Sequence, residues 1–198
     1  MKLTEKKKQQ IILASVQEFR EKGFSGTSMD NVAQRAEVSK RTVYNHFASK
    51  DELYMGIVKY MFGLIAETSP QPYENGIPLR KQLEAIARVK INLFSSDEFI
   101  GLSRVVMPEA LQNPQRIQHA MEQMSAIESD MYNWFDSAIA EGELNLSCGE
   151  EACRKFMGLV KMESYWPRLL KGKESPTEQE VEDMIEESVG MFLCYYQK

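Results

Sequence analysis

Helix start signals recur along the whole chain, and they constrain its fold more than any other feature of the sequence. In a Ser/Thr-x-x-Asp/Glu stretch, the hydroxyl accepts a hydrogen bond from a free amide of the first turn, and the acid reaches back to the cap. Strand patterns are nearly absent, so the sequence predicts an all-α fold. Five such stretches occur: Thr27–Asp30, Ser49–Glu52, Ser95–Glu98, Ser147–Glu150 and Thr177–Glu180.

These signals divide the chain into about nine helices. The segment 68–78 contains three prolines and a glycine and is therefore expected to be a loop. Pro108 and Pro167 fall inside predicted helices, and a kink or break is expected at each. The predicted helices are 4–22, 28–35, 39–46, 49–67, 77–94, 96–111, 114–141, 148–170 and 177–196.

Charge is distributed unevenly along the chain. The formal net charge is −5, yet residues 1–50 hold 10 Lys/Arg and 5 Asp/Glu, a net of +5, while the remainder holds 14 and 24, a net of −10. A basic head can bind phosphates while an acidic body is repelled from them. The pattern favours a nucleic-acid partner for the head, although short N-terminal segments are often basic by chance.

Several classes of protein find no support in the composition. There is no apolar run of membrane-spanning length and no signal-peptide pattern at the N-terminus, so we expect a cytoplasmic protein with no membrane partner. The chain has three cysteines, which are too few for a disulfide scaffold and cannot all pair with one another because their number is odd. Two histidines far apart in sequence give little basis for a metal site, and we expect no metal and no cofactor.

Residues 23–53 contain two short predicted helices joined by a tight turn. Gly23 ends the first long helix, Thr27 is expected to cap the next one, and Ser39 is expected to cap the third. The helix that follows Ser39 buries Val43 and Phe47 and leaves basic and amide-bearing side chains outward. This arrangement is typical of a helix-turn-helix whose second helix enters the major groove of DNA.

The same segment closely resembles the TetR family of bacterial transcriptional regulators. It matches Gly-Phe-x-x-Thr-Ser-Met-Asp-x-Val-Ala-x-x-Ala-x-Val-Ser-Lys-x-Thr-Val-Tyr-x-His-Phe-x-Ser-Lys-x-x-Leu, with the detailed likeness covering about residues 8–55. The resemblance implies a TetR-like fold: a three-helix DNA-binding domain over residues 1–48 and a helical ligand-sensing and dimerisation domain over residues 49–198. Arg104 to Ala110 also resembles one all-helical sensor subgroup, although Pro108 departs from its pattern.

The resemblance also implies which side chains contact DNA. Base edges would be contacted from the start of the third helix, and phosphates from the residues around it; Tyr44 could instead be a partly packed aromatic, and His46 a helix C-terminal group that interacts with the helix dipole. The candidate DNA-binding residues are Thr27, Ser28, Ser39, Lys40, Arg41, Thr42, Tyr44, Asn45, His46 and Lys50.

For the body, the family plan implies a homodimer and a small-molecule effector. The last two helices would pair with their copies through Phe156, Leu159, Val160, Ile185, Val189, Phe192 and Tyr196. A ligand would be bound by Phe62, Arg104, Met107, Met121, Met124, Met131, Trp134, Tyr165 and Trp166. Such apolar stripes are also what an ordinary helical core requires.

The resulting prediction is a sequence-specific DNA-binding regulator, a repressor released from a palindromic operator by a ligand. The alternative is a helical protein-interaction adaptor that does not bind DNA. An enzyme is not expected, because the sequence has no Walker loop, no Gly-x-Ser-x-Gly and no His-Glu-x-x-His.

Overall fold

The computed structural model describes the backbone of residues 3–198, and the side chains of residues 4–115, 118 and 129–198. Over this range the backbone forms ten helices and one isolated antiparallel bridge, between Leu144 and Gln197. The all-α prediction is confirmed. The helices are α1 Leu3–Gly26, α2 Met29–Arg35, α3 Lys40–His46, α4 Lys50–Ala66, α5 Leu79–Phe94, α6 Asp97–Gln112, α7 Pro114–Ala140, α8 Gly149–Ser164, α9 Trp166–Lys171 and α10 Glu178–Tyr196. None of the helices built from the described residues has the length and apolar character needed to cross a bilayer.

The two prolines inside predicted helices behave differently. The predicted helix 148–170 is divided into α8 and α9 at Tyr165, just before Pro167, because a proline cannot donate to the preceding turn and its ring crowds that turn. At Pro108 there is no break, since α6 continues to Gln112. The neighbouring Val105 and Val106 are buried, and this packing supports the turn despite the missing hydrogen bond.

Contacts divide the chain into two compact units. The first comprises residues 1–63 and 101–123, and the second comprises residues 64–100 and 124–198. This division is one of packing, whereas the sequence-based boundary after residue 48 is one of function, and that boundary stays a prediction.

In the first unit, α1 packs on α2 and α2 packs on α3. Gly23 has φ 69° and interrupts the helical conformation of α1, which directs the chain towards α2. The ring of Phe24 then stacks on Phe19 at 5.6 Å and meets Tyr54 edge-on at 5.8 Å. Phe24 therefore folds back onto the first helix.

The cap of α2 differs from the sequence prediction by one residue. Ser28, not Thr27, accepts a hydrogen bond from the amide of Asn31, at 3.2 Å. Thr27 is buried, and its hydroxyl donates to the carbonyl of Gly23 at 2.9 Å. The hydroxyl of Thr27 is therefore used to close the bend at Gly23 instead of starting the helix.

In the second unit, α5, α8 and α10 pack on one another. Their core includes a cluster of Phe135, Phe156 and Phe192, whose ring centroids lie 5.2–5.8 Å apart. Seven residues of this unit are predicted to form the dimer interface, which stays a prediction. Five of these seven residues are buried inside the single chain, because the apolar stripe of each helix faces its own neighbours: Phe156, Val160, Ile185, Val189 and Phe192. Leu159 and Tyr196 are half-buried.

Gly56, in the middle of α4, allows the end of α3 to approach closely. A Cβ atom placed on Gly56 would lie 2.6 Å from Cε1 of Phe47 and 3.1 Å from its Cζ, well inside van der Waals contact. Phe47 ends α3 and is itself buried. Glycine at position 56 therefore sets how closely α3 sits against α4.

We expect Gly56→Ala to be less stable than Gly63→Ala. Both variants gain about 0.5–1 kcal/mol from the better helix propensity of alanine, and a Cβ at Gly63 meets no atom within 4 Å. Only Gly56→Ala must displace the ring of Phe47, at a cost of about 1–3 kcal/mol. Urea unfolding followed by circular dichroism measures both free energies, and equal values would contradict this packing.

Candidate nucleic-acid interface and effector cavity

The turn between α2 and α3 is built without glycine. The amide of Val38 donates to Ala33 and that of Glu37 donates to Gln34, both at 3.1 Å, while Glu37 adopts a left-handed φ of 52°. These two bonds form a Schellman ending for α2. A non-glycine residue at this φ is strained by about 1 kcal/mol, which the packing of the two helices must offset.

Helix α3 begins at a serine cap. Ser39 accepts a hydrogen bond from the amide of Thr42 at 3.1 Å, and the two hydroxyls lie 2.8 Å apart. Val43 is fully buried beneath this turn. The hydroxyls of Ser39 and Thr42 therefore lie together at the N-terminal end of α3.

One side of α3 is an exposed stripe, which we call the reading face: Lys40, Arg41, Tyr44 and Asn45. These positions are i, i+1, i+4 and i+5, so they share one side of the helix. Tyr44 is 50% exposed, so about half of its side chain is accessible to solvent. His46 is half-buried beside Phe47, at the C-terminal end of α3.

Two lysines of the predicted DNA contacts have partners within the protein. Lys40 forms an exposed ion pair with Asp30 of α2, and exposed pairs of this kind contribute little stability and are easily exchanged. Lys50, at the start of α4, donates to the carbonyls of Ser25 and Thr27 at 3.3 and 3.1 Å and lies 4.6 Å from the ring centroid of Phe24. Lys50 thus holds the segment before α2 against α4, a structural role the sequence did not indicate.

A buried carboxylate fastens α2 to α1. Glu18 is 3% exposed and contacts Lys22 at 2.9 Å and Arg35 at 2.7 Å, while Arg35 also pairs with Glu21. The hydrogen bond from Lys22 lowers the pKa of Glu18, burial opposes that change, and Arg35 lowers the pKa further. The hydrogen bonds that Arg35 donates to Glu21 and Glu18 raise the pKa of Arg35, and the bond to Glu21 has the larger effect. Arg35 is therefore a structural residue.

The second unit contains a cavity of about 350 Å³ between α5, α7 and α8. Met131 and Trp166, two of the predicted ligand residues, line it together. Its buried wall includes Lys90, Phe94 and Cys153. A volume near the lower end of the usual range of roughly 300–1,000 Å³ suits a small organic ligand.

The other predicted ligand residues are not brought to this cavity. Phe62, Arg104 and Met107 belong to the first unit, where Arg104 lines an open concavity with Phe24 and Pro108. Trp134 is buried against Tyr73 and Phe135, and Tyr165 is buried among Phe94, Phe99 and Trp166. Helical spacing could not distinguish these core positions from cavity positions. Met121 and Met124 lie outside the residues whose side chains are described.

Sequence reasoning missed the charged part of the cavity wall. Lys90, Arg154 and Lys161 line it together with Glu150. On α8 the residues Glu150, Arg154 and Lys161 repeat at helical spacing, which reads in a sequence as a solvated face. Gly56 was missed as well, although an isolated glycine within a helical pattern is a signal for close packing.

Comparison with known proteins gives matches over both parts of the chain. Residues 11–56 match the family model described as "Bacterial regulatory proteins, tetR family", and residues 81–198 match "AefR-like transcriptional repressor, C-terminal domain". A TetR family transcriptional regulator from Pseudomonas syringae pv. tomato str. DC3000, known as a crystal structure, is 32% identical, with a TM-score of 0.85 and 97% of each chain covered.

Two curated relatives match over shorter stretches. The transcriptional activator FasR of Mycolicibacterium smegmatis is 40% identical over 50 residues, which cover 25% of this chain and 23% of that protein. The biofilm operon icaADBC negative regulator IcaR of Staphylococcus epidermidis is 23% identical over 134 residues, covering 65% of this chain and 69% of IcaR. The likeness to FasR thus spans about a quarter of its length.

The buried charge network predicts a pH dependence of stability. A folded-state pKa below the ordinary value of 4.5 means that Glu18 stabilises the fold above that pH and loses this contribution as the pH falls through the folded pKa. We expect Glu18→Gln to lose about 1–3 kcal/mol at neutral pH and to show a flatter decline on acidification. The matched control is Glu5→Gln, at an exposed carboxylate of the same helix. Parallel unfolding curves for Glu18→Gln and the unmodified chain across acid pH would contradict this assignment.

Proposed function

The chain belongs to the TetR family of bacterial transcriptional regulators, and from this premise we propose that it represses transcription by binding a palindromic operator as a homodimer until a small ligand releases it. Repression is favoured by the match of residues 81–198 to a repressor domain and by the likeness to IcaR, a negative regulator. The likeness to an activator is confined to a 50-residue stretch. The family comprises regulators rather than enzymes, and the proposed place of action is the cytoplasm, with the DNA.

The observation that supports DNA reading most directly is the reading face of α3. Arg41 and Asn45 are exposed one turn apart, and the side chain of neither forms a hydrogen bond or ion pair with a described residue. Arginine pairs bidentately with guanine and asparagine with adenine in the major groove. Buried Val43 and Phe47 keep the backbone of α3 rigid behind these side chains.

Phosphate contacts are proposed for the residues that flank this helix. Ser28 and Ser39 present hydroxyls at the starts of α2 and α3, and Tyr44 extends from the reading face. Thr42 and His46 remain candidates at half-buried positions. Thr27 is removed from the set because its hydroxyl is buried and donates to Gly23. Lys50 is proposed to act mainly by positioning the segment that precedes α2.

The proposed dimer surface lies on the outer side of α8 and α10. A shallow groove there is lined by Leu159, Met162, Met184 and Met191, with Glu163 and Glu187 among them. Met162 and Met191 are exposed apolar side chains, and an exposed apolar patch of this kind marks an interaction surface. A two-fold pair of chains presents two reading helices, which fits a palindrome with half-sites one helical turn apart or a multiple of it.

A change in α4 is the proposed link between ligand and DNA. This single helix begins at Lys50, which holds the segment before α2, and Ile65 near its end lines the cavity. If α4 has two positions and the ligand binds one of them more tightly, the ligand increases the population of that position and of the arrangement of the DNA reader that goes with it. By linkage, operator DNA must weaken ligand binding by the factor by which ligand weakens DNA binding.

The proposal is tested by selecting binding sites from random duplexes and measuring affinity for the selected palindrome at several salt concentrations. The affinity is expected to fall steeply with salt, as phosphate contacts require. A helical adaptor without DNA binding, which gains no support from the comparisons, would give no enriched sequence.

Arg41→Ala is expected to lose discrimination between the selected operator and a scrambled duplex by about 1–3 kcal/mol, because one bidentate base contact is removed. Lys59→Ala is the matched control, since Lys59 is an exposed cation of the same unit, nine residues along α4 from Lys50. Fluorescence anisotropy with both duplexes gives the ratio of the affinity for the selected operator to that for the scrambled duplex. If Arg41→Ala keeps the ratio of the unmodified chain, the reading face is wrongly assigned.

Met162→Glu combined with Met191→Glu is expected to convert the dimer into monomers, because two charges would be buried without partners in a symmetric interface. Leu170→Glu is the control, at a side chain on α9 that is 74% exposed and does not line the groove. Light scattering measures the mass in solution. A double variant that keeps the dimer mass would place the interface elsewhere.

A further inference from the structure

The cavity of the second unit has a buried base and an exposed rim. Lys90, Phe94, Met131 and Cys153 are each 5% exposed or less. Arg154 and Trp166 are exposed and mark the opening. A ligand entering past α8 would therefore pass from a rim that contacts water to an almost closed interior.

The charges on the cavity wall are mostly positive. Among the described residues that line the cavity, the charged ones are Lys90, Arg154, Lys161 and Glu150, which together carry a formal net charge of +2. Glu150 is engaged with Arg154 in an exposed pair at 3.7 Å, and Lys90 donates to the hydroxyl of Thr68 at 2.8 Å. Attraction between opposite charges is stronger at a buried position than in water. The cavity is therefore complementary to an anion whose charge reaches the interior.

The uncharged part of the wall suits a flat, apolar body. Phe94, Tyr132 and Trp166 contribute aromatic rings, and Met131 and Met157 contribute thioethers. Aromatic rings pair favourably with one another, and methionine adapts to their edges. An aromatic ring system fills such a space better than a polar sugar or peptide.

We propose that this cavity binds a small aromatic carboxylate, with its ring against the aromatic and methionine side chains and its carboxylate directed to Lys90 and Lys161. This inference rests on the proposed function, since it names the chemical class of the releasing ligand. A carboxylate is favoured over a phosphate monoester because the described part of the interior offers one buried cation, Lys90, and a dianion would need more counter-charge and more donors.

The opening of the cavity also runs along a glycine. Gly158 lines it, and a Cβ placed there meets no atom within 4 Å. A larger side chain at position 158 can therefore extend into the opening without a clash at its first atom. Gly158→Leu offers a way to obstruct the cavity without removing any charge.

The test uses the full-length protein and three probes of nearly equal shape: 2-naphthoate, the neutral 2-naphthamide and the cationic 2-naphthylmethylamine. Binding is followed by quenching of tryptophan fluorescence, since the chain has two tryptophans and Trp166 lines the cavity. The naphthoate is expected to bind at least about tenfold more tightly than the amide, as a charge-assisted hydrogen bond implies, and the amine is expected to bind most weakly. Equal affinities for the naphthoate and the amide would overturn the proposal, and so would tighter binding of 2-naphthyl phosphate than of the naphthoate.

Variants assign the charge preference to the cavity. Lys161→Gln and Lys90→Gln should each reduce naphthoate affinity about tenfold while leaving naphthamide affinity unchanged, since only the ionic contact is removed. Lys171→Gln, at an exposed lysine of α9 that does not line the cavity, should change neither. Gly158→Leu should weaken both probes. If Lys90→Gln does not fold by circular dichroism, Lys161→Gln decides alone, and a preference for naphthoate that survives it overturns the assignment.

Operator binding, measured in the same samples, separates this inference from the proposed function. A charge preference that depends on Lys161, with no release of DNA, would uphold the ligand class and contradict the release mechanism. Operator binding without any charge preference would uphold the DNA-reading function and overturn the ligand class.

Discussion

The close approach of Phe47 to Gly56 is the contact on which the geometry of the DNA reader depends. Helix α3 has only seven residues and cannot hold its own position, so its orientation comes from what it packs against. Phe47 at its end is buried against Gly56 of α4, where an added Cβ atom would collide with the ring. The exposed side chains of α3 are thus held from behind by a contact that involves no charge and does not change with salt.

Charged groups outside the reading face also hold the reader together. Glu18, buried between Lys22 and Arg35, fastens α2 to α1. Lys50 ties α4 to the segment that precedes α2. On the reading face itself, Lys40 forms an exposed ion pair with Asp30, and such a pair contributes little stability.

Helix α8 has a separate use for each of its sides. Arg154 and Lys161 line the cavity, Phe156 is buried in the aromatic core, and Leu159 and Met162 line the outer groove. A ligand that moved α8 would therefore also move the side chains that α8 contributes to the proposed dimer surface. This division explains why five of the seven residues predicted for the dimer interface are buried within the single chain. Periodicity identifies an apolar stripe, but a stripe of Phe156, Val160 and Ile185 fits the core of one chain as well as the seam between two.

The sequence by itself determined the order and type of the helices, the bend at Gly23 and the reading face, because capping, glycine conformation and helical spacing are local properties of the chain. Glu37 has a left-handed backbone conformation, which the sequence does not indicate because no glycine occurs there. The cap at Ser28 lies one residue beyond the expected Thr27. Only the tertiary structure decided these two details. It also decided the contact at Gly56 and the convergence of Lys90, Arg154 and Lys161 on one cavity. Each depends on residues that are distant along the chain and meet only when the helices pack, and a local pattern carries no information about which helices will be neighbours.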